Sequence, residues 1–313
     1  MARRRRGLPI DGVLLFDKPQ GISSNAALQR VRRLFQAQKA GHTGTLDPMA
    51  TGLLPICFGE ATKFSSHLLE SDKVYRTRVR LGEVTDTGDA DGEVIERLPI
   101  PALDEQEIQA VLKDFRGEIE QVPPMYSALK HEGRPLYELA RQGKTIERAV
   151  RRVTVYDTRL LTQEAEAFEL EVSCSKGTYI RTLAEDIGRA LGSGAHITAL
   201  RRLKTGPFGV DGMCDLSHLE ALPDQAAREA YLLPMDVLVE HLPAIAVEPD
   251  EVRRLLHGQP ASGDTGDLAP GTVARLYRDT AFLGLVTVKA AGHIVPRRLL
   301  STAPAEPTGP EGA

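Results

Sequence analysis

The segment His42-Thr43-Gly44-Thr45-Leu46-Asp47-Pro48-Met49-Ala50-Thr51-Gly52 is where this 313-residue chain concentrates residues fit for chemistry. Gly41, Gly44 and Gly52 permit tight backbone conformations and close approach of a ligand. Pro48 locks the chain just after Asp47 and disfavours helix at Asp47 itself. A carboxylate in such a loop has a fixed presentation and can serve as nucleophile or acid–base group. Taken alone, the loop favours a plainer reading, in which Asp47 caps its own turn.

Other reactive signatures are missing from the sequence. There is no Gly-x-x-x-x-Gly-Lys-Ser/Thr, Gly-x-Gly-x-x-Gly, His-Glu-x-x-His or Gly-x-Ser-x-Gly, so the expected chemistry uses neither cofactor nor metal. Cys57, Cys174 and Cys214 lie far apart, which suits neither a zinc site nor a disulfide framework. The acidic run Thr85 to Gly92 reads as a surface hairpin; its spacing is too compressed for a calcium loop.

The loop must be held by the elements around it. Gly12 to Phe16 reads as a buried strand ending in the turn Asp17 to Gly21. Ser23 or Ser24 can cap a helix carrying Ala27, Val31, Leu34 and Phe35 on one face. Leu53 to Phe58 returns as an apolar strand. Val74 to Leu81 alternates as a half-buried strand, with Val74 the misfit. Leu103 to Phe115 has a helical stripe of Ile108, Val111, Leu112 and Phe115. Val153 to Leu161 and Ala167 to Ser175 read as paired strands. A helix follows from near Thr178 to Leu191, with Arg181 and Glu185 at i,i+4. Beyond residue 247, a helix at Glu251 to Leu256 and strands near Val273 to Leu276 and Leu283 to Val288 suit a small β-barrel-like module.

Charge is segregated along the chain. Residues 1–65 hold ten Lys/Arg against four Asp/Glu, and residues 173–206 hold six against two. Residues 83–120 hold three against twelve, and residues 210–250 one against nine. Basic segments that share a face would suit a polyanion despite the net charge of -4. Pro124 to Arg152 carries seven Lys/Arg and three Asp/Glu with Tyr126 and Tyr137 interleaved, which suits either an excursion that grips RNA or an ordinary solvated insertion. The basic N-terminus lacks the apolar run of a secretory signal, and no stretch is long and apolar enough for a membrane span. The expectation is a cytoplasmic, monomeric protein.

His42 to Gly52 resembles the signature loop of the TruB-type tRNA pseudouridine synthases, in their bacterial stand-alone branch. Asp17-Lys18-Pro19-Gln20-Gly21 resembles that family's first motif, and Leu53 to Lys63 continues its second. Lys73-Val74-Tyr75-Arg76 resembles the motif with its active-site tyrosine. Ser175 to Leu183 resembles the motif with its active-site arginine, continued by Gly194-Ala195-His196 and Leu200-Arg201-Arg202-Leu203. The motifs run in the family's order from about Leu8 to Phe208.

The resemblance implies an α+β fold. A mixed, mainly antiparallel sheet would form a catalytic domain over 8–240, with a thumb-like insertion at about 124–152. A PUA-like RNA-binding domain would span 245–302, resting on Leu255 to Gln259, Phe282 to Leu285 and Pro296 to Leu299. Residues 1–7 and 303–313 would be disordered tails. It also implies isomerisation of uridine 55 to pseudouridine in the T-arm of tRNA, with tRNA the sole partner. Asp47 would be the nucleophile, as carboxylates are in glycosidases. Arg181 would hold it bidentately, and Tyr75 would stack on the base and relay a proton. Tyr179, Leu200, Lys18 and Pro19 would shape the site, and His42 would fill the gap left by an everted base. Competing readings are a guide-RNA-dependent synthase of the same superfamily, a non-catalytic RNA-binding or tRNA-folding protein, and a glycosidase of small substrates. The last is disfavoured by the segregated charge and the absence of Trp.

Overall fold

The structure is a computed structural model that describes residues 7–301. The expected tails fall largely outside that range. Gly7, counted above with the N-terminal tail, accepts a hydrogen bond from Gln38 Nε2 at 2.9 Å.

The chain opens with β1 (Gly12–Lys18), α1 (Ser24–Leu34), β2 (Ala40–His42) and β3 (Thr51–Phe58). A single turn, α2 (Ser66–Leu69), leads into β4 (Lys73–Leu81), and a short hairpin of β5 (Glu83–Thr85) and β6 (Val94–Arg97) follows. Next come α3 (Glu105–Asp114) and β7 (Gly117–Gln121). The insertion holds β8 (Lys130–His131), β9 (Arg134–Pro135) and α4 (Leu136–Ala140). The chain continues with β10 (Arg151–Gln163), β11 (Ala167–Cys174), α5 (Ile180–Ala190) and β12 (Ala195–Thr205), then α6 (Leu216–Ala221) and α7 (Gln225–Glu229).

Eight strands form one sheet in the order β1-β3-β12-β4-β11-β10-β7, with β2 paired to β3. Only the β3–β12 pairing is parallel, at Thr51↔Arg201 and Gly52↔Arg202; the rest are antiparallel. The apolar runs of β1 and β3 follow from burial on both faces. Leu14, Phe16, Leu54 and Ile56 enter a core with Ala27, Leu28 and Val31 of α1 and Leu183 and Ile187 of α5. Val13, Leu15, Leu53 and Cys57 point the other way, to Phe64, Leu68 and Leu238. Each fully buried Leu or Phe contributes roughly 1.5–3 kcal/mol of transfer free energy, so both faces fix the register of these strands. α3 starts with a capping box between Asp104 and Glu107.

Strand β12 was not expected from its sequence, because Arg201, Arg202 and Lys204 break the apolar pattern. It lies centrally between β3 and β4 and buries Arg202 to 1% exposure.

The C-terminal part forms a second sheet of β13 (Ala244–Ala246), β14 (Ala261–Ser262), β15 (Val273–Arg278), β16 (Ala281–Ala290) and β17 (His293–Leu299), in the order β13-β15-β16-β17-β14. Helix α8 (Pro249–Leu256) packs into its own core with Val252 and Leu255. This half-barrel fits a PUA-like domain. Leu285 and Leu300 join the core below β1 and β3, and Phe282 meets Phe64 edge-on at 5.3 Å. Lys63 Nζ donates to Leu299 O at 3.0 Å and to Ser301 Oγ at 2.7 Å.

Candidate active site

Asp47 sits in the loop between β2 and β3, and three side chains hold that loop. Ser24, 1% exposed, accepts the Leu46 N–H at 2.7 Å and donates to Leu46 O at 2.9 Å. The adjacent serines thus divide two tasks, for Ser23 caps α1 by accepting the Ala26 N–H at 3.1 Å. Lys18, fully buried, donates to Pro19 O at 2.8 Å and Pro48 O at 3.3 Å. Arg202 donates from Nε to Leu53 O at 2.7 Å and from Nη2 to Gly44 O at 3.1 Å, so it ties both arms of the loop to β12. Gly52 lies at φ +98°, and a Cβ there would stand 2.3 Å from Arg202 O. No other residue allows strand and loop to approach this closely.

Arg181 reaches Asp47 from the first turn of α5. Its Nε lies 3.0 Å from Asp47 Oδ2, a single contact rather than the expected fork. The rest of the guanidinium is otherwise engaged. Nη1 donates to Thr87 O at 2.8 Å and lies 3.7 Å from Asp89 Oδ2, while Nη2 donates to Tyr126 O at 2.6 Å. Arg181 is 3% exposed and Asp47 33%, so the arginine is a fixed wall and the carboxylate opens toward the cleft. The i,i+4 pair expected with Glu185 does not form; Glu185 instead faces Arg189 at 3.9 Å. The acidic run expected at the surface is likewise part of the site, because Asp89 is buried to 4% exposure.

A cleft of about 240 Å³ is lined by Asp47, Tyr75, Tyr179, Arg181, Leu200 and Arg202, among others. Five of the eight sequence-predicted site residues therefore share one cavity. Lys18 lies beneath it. Pro19 is exposed and offers its carbonyl to Lys18. His42 sits on β2 opposite Ile56, at the entrance to the loop, and is not among the lining residues. Its Nδ1 is buried without a hydrogen-bond partner among the described residues. Tyr179 precedes α5 and is held by Gln121, which accepts the Tyr179 N–H at 3.1 Å and donates to its carbonyl at 3.3 Å. A larger cavity, about 680 Å³, opens beside Val74 and Lys204 but contains neither Asp47 nor Arg181.

Burial governs the protonation states here. It raises the Asp47 carboxyl above its ordinary value of 3.8, Arg181 opposes that rise, and Asp89 adds to it. It lowers Lys18 to about 8, against the pull of Asp47. Burial and then the charge of Arg202 lower His42, which favours a neutral ring. The Tyr75 phenol is raised by burial, with Arg202 opposing. The arrangement is a carboxylate in a partly dry cleft, oriented by one guanidinium and faced by aromatic and aliphatic walls. Such a group can attack or hold an electrophilic carbon of a flat base or its sugar.

Comparison with known proteins places this geometry. Residues 32–180 match the model of the TruB family pseudouridylate synthase N-terminal domain. Residues 181–240 match the tRNA pseudouridylate synthase B C-terminal domain, and residues 243–300 the C-terminal model of pseudouridine synthase II TruB. A tRNA pseudouridine synthase B of Chromohalobacter salexigens is 72% identical over 303 residues, covering 97% of this chain and 98% of that protein. The chain belongs to the TruB family of pseudouridine synthases. Its counterpart in Aromatoleum aromaticum is 53% identical over 94% of both chains. The fold also resembles a solved Cbf5-Nop10-Gar1 complex, with TM-score 0.68 and 27% identity over 90% of this chain and 79% of that one. This TruB-family enzyme is an isomerase of tRNA pseudouridine synthesis. Among the described residues, no helix is long and apolar enough to cross a membrane.

Four residues that build the site were not singled out for it from sequence. Ser24 was weighed only as a cap, Asp89 lay in an apparent surface hairpin, and Gln121 and Arg202 sat in polar stretches. The one usable signal was Arg202, a charged residue beside Leu200 inside a matched motif.

Proposed function

We propose that this enzyme converts uridine 55 in the T-arm of tRNA to pseudouridine, with Asp47 as the nucleophile acting on an everted base. The observation that carries the reading is the Asp47–Arg181 contact at 3.0 Å inside a cleft walled by Tyr75, Tyr179 and Leu200. The N1–C1′ bond breaks, the uracil turns, C5 bonds to C1′ and loses its proton, and N1 takes up a proton. No atoms are gained or lost overall, so the reaction needs neither oxidant nor energy source. Arg181 orients the carboxylate and favours its ionised form. Tyr75 stacks on the base and relays the proton. Tyr179, Leu200, Lys18 and Pro19 shape the site. His42, at the loop entrance, fills the space that the base vacates.

The solved Cbf5 relatives favour one alternative, because one stands in a Cbf5-Nop10-Gar1 complex and another in an archaeal box H/ACA sRNP Nop10-Cbf5 complex. A guide-dependent synthase would need such partners. The 72% identity to a protein named tRNA pseudouridine synthase B, and the basic insertion 124–152, favour a stand-alone enzyme. The test is to incubate the purified chain with unmodified tRNA transcript, without cofactor, guide or partner, and to map pseudouridine by position. Absence of pseudouridine at position 55 would overturn the reading. Retained activity in Asp47→Asn, with deamidation ruled out by mass spectrometry, would overturn the nucleophile.

A further inference from the structure

We propose that Arg202 is a further catalytic residue, whose open guanidinium edge binds the uracil oxygen that becomes negative as the N1–C1′ bond breaks. The inference rests on the isomerase reading above and adds a leaving-group role to it.

Location is the first support. Arg202 is 1% exposed, yet it lines the cleft with Asp47, Tyr75 and Leu200. Its partners are the second. Arg181 meets Asp47 and Asp89, and Arg201 meets Asp17 through both terminal nitrogens at 3.0 and 2.6 Å. Arg202 takes part in no ion pair among the described residues. Nε and Nη2 each donate to one carbonyl and the guanidinium also meets the Tyr75 hydroxyl, but Nη1 donates to no carbonyl or carboxylate of the described residues. A guanidinium offers five N–H groups, so this one has donors to spare. A buried charge without a counterion is costly, and such cost is often retained where an anion forms during function.

Charge balance is the third support. The buried cations around the cleft are Lys18, Lys73, Arg181 and Arg202; Asp47 and Asp89 both face Arg181, and no carboxylate pairs with Arg202 among the described residues. Both lysines spend their donors on backbone. Lys18 binds Pro19 O and Pro48 O, and Lys73 binds Leu68 O, Leu69 O and Ser71 O. Arg202 pairs with no carboxylate among the described residues and keeps N–H donors for substrate.

The chemistry supplies a matching anion. When N1–C1′ breaks, the bonding electrons go to N1, and the charge spreads onto O2 and O4. An N–H of Arg202 donated to either oxygen strengthens as that charge develops, which accelerates the step. When C5 later bonds to C1′ through the electron pair of the base, the C5 proton leaves and N1 takes up a proton, so the base ends neutral.

A leaving-group comparison tests this. Single-turnover loss of the target N-nucleoside is measured for wild type, Arg202→Gln and Arg202→Lys. The tRNA carries either uridine or 5-fluorouridine at the target, because fluorine makes the departing base a weaker base. With uridine, Arg202→Gln is expected to lose about 10²–10³-fold, the usual effect of one oxyanion donor. With 5-fluorouridine the loss is expected to shrink by about tenfold or more, and Arg202→Lys is expected to fall between. Equal losses on both substrates would mean that Arg202 only braces the loop, and the proposal would be wrong. The two rates are compared within each variant, so a reduced folded fraction cancels, and Arg202→Lys carries the comparison if Arg202→Gln does not fold. Failure of wild type to make pseudouridine would instead sink the underlying isomerase reading.

Discussion

Replacing Ser24 by Ala isolates how far the catalytic loop depends on one buried hydroxyl. Ser24 Oγ closes two hydrogen bonds to Leu46, the residue just before Asp47. Ser24→Ala leaves the Leu46 N–H and C=O without that partner in a site where Ser24 is 1% exposed and Leu46 3%. An unsatisfied buried donor costs about 1–3 kcal/mol. The loop can recover part of that cost by shifting toward water, and such a shift displaces Asp47 from Arg181. A misplacement of about 1 Å in a reacting group can cost about 10²-fold. The expected outcome is a kcat reduced about 10- to 100-fold with tRNA affinity little changed, because the loop positions the chemistry rather than the bulk of the RNA. Single-turnover pseudouridine formation at saturating enzyme gives the rate, and filter binding gives the affinity. Ser23→Ala is the matched control. It removes an exposed N-cap, costing about 1 kcal/mol, and leaves Leu46 untouched. If Ser24→Ala lost stability but kept full kcat, or if Ser23→Ala lowered kcat equally, the clamp argument would be refuted.

Four further outcomes are expected. Because burial raises the Asp47 carboxyl and its ionised form is the reactive one, kcat should fall as pH drops, with a midpoint above the ordinary carboxylate value of 3.8. Arg181→Met removes the cation that opposes this rise, so the acidic limb should move to higher pH while activity drops about 10²-fold or more; a limb that moves down, or stays, contradicts the assignment. Asp89→Asn keeps the shape but removes a carboxylate 3.7 Å from Arg181, and should lower the acidic midpoint because Asp89 adds to the rise at Asp47; a pH–rate profile checks the sign. Binding of tRNA should weaken steeply with salt, with log K falling linearly in log salt, and a flat titration would count against phosphate contacts.

Legibility in the sequence followed the kind of signal each feature leaves. The flanking strands and helices of the loop were readable, because burial on one or two faces writes a periodic apolar pattern. Strand β4 is the clearest case, with Thr77, Val79 and Leu81 buried and Val74 turned to the opposite side from Tyr75. The site residues Asp47, Tyr75, Tyr179, Arg181 and Leu200 were readable from ordered motifs, and the fold brings them to one cleft. What stayed hidden was polar burial. A sequence pattern equates charge with surface, yet Arg202 occupies a central strand because its donors meet Leu53 O and Gly44 O. Strand β12 was missed for the same reason.

The acidic run Thr85 to Gly92 shows why such errors cluster at function. Its turn-rich composition does produce a hairpin base, β5 with β6, as expected. The tip, however, folds inward. Thr87 O and Asp89 are set against Arg181, which in turn touches Asp47 and the carbonyl of Tyr126 at the base of the basic insertion. One guanidinium therefore joins the catalytic loop, the acidic hairpin and the insertion. A single-contact hold on Asp47 follows from this sharing, because the other nitrogens of Arg181 are taken. The carboxylate keeps a free oxygen for substrate, which a bidentate clamp of the kind expected from sequence would have withheld. On the proposed reading that oxygen is the one with which Asp47 acts as nucleophile, and it is left open because Asp89, Thr87 and Tyr126 hold the rest of the arginine in place.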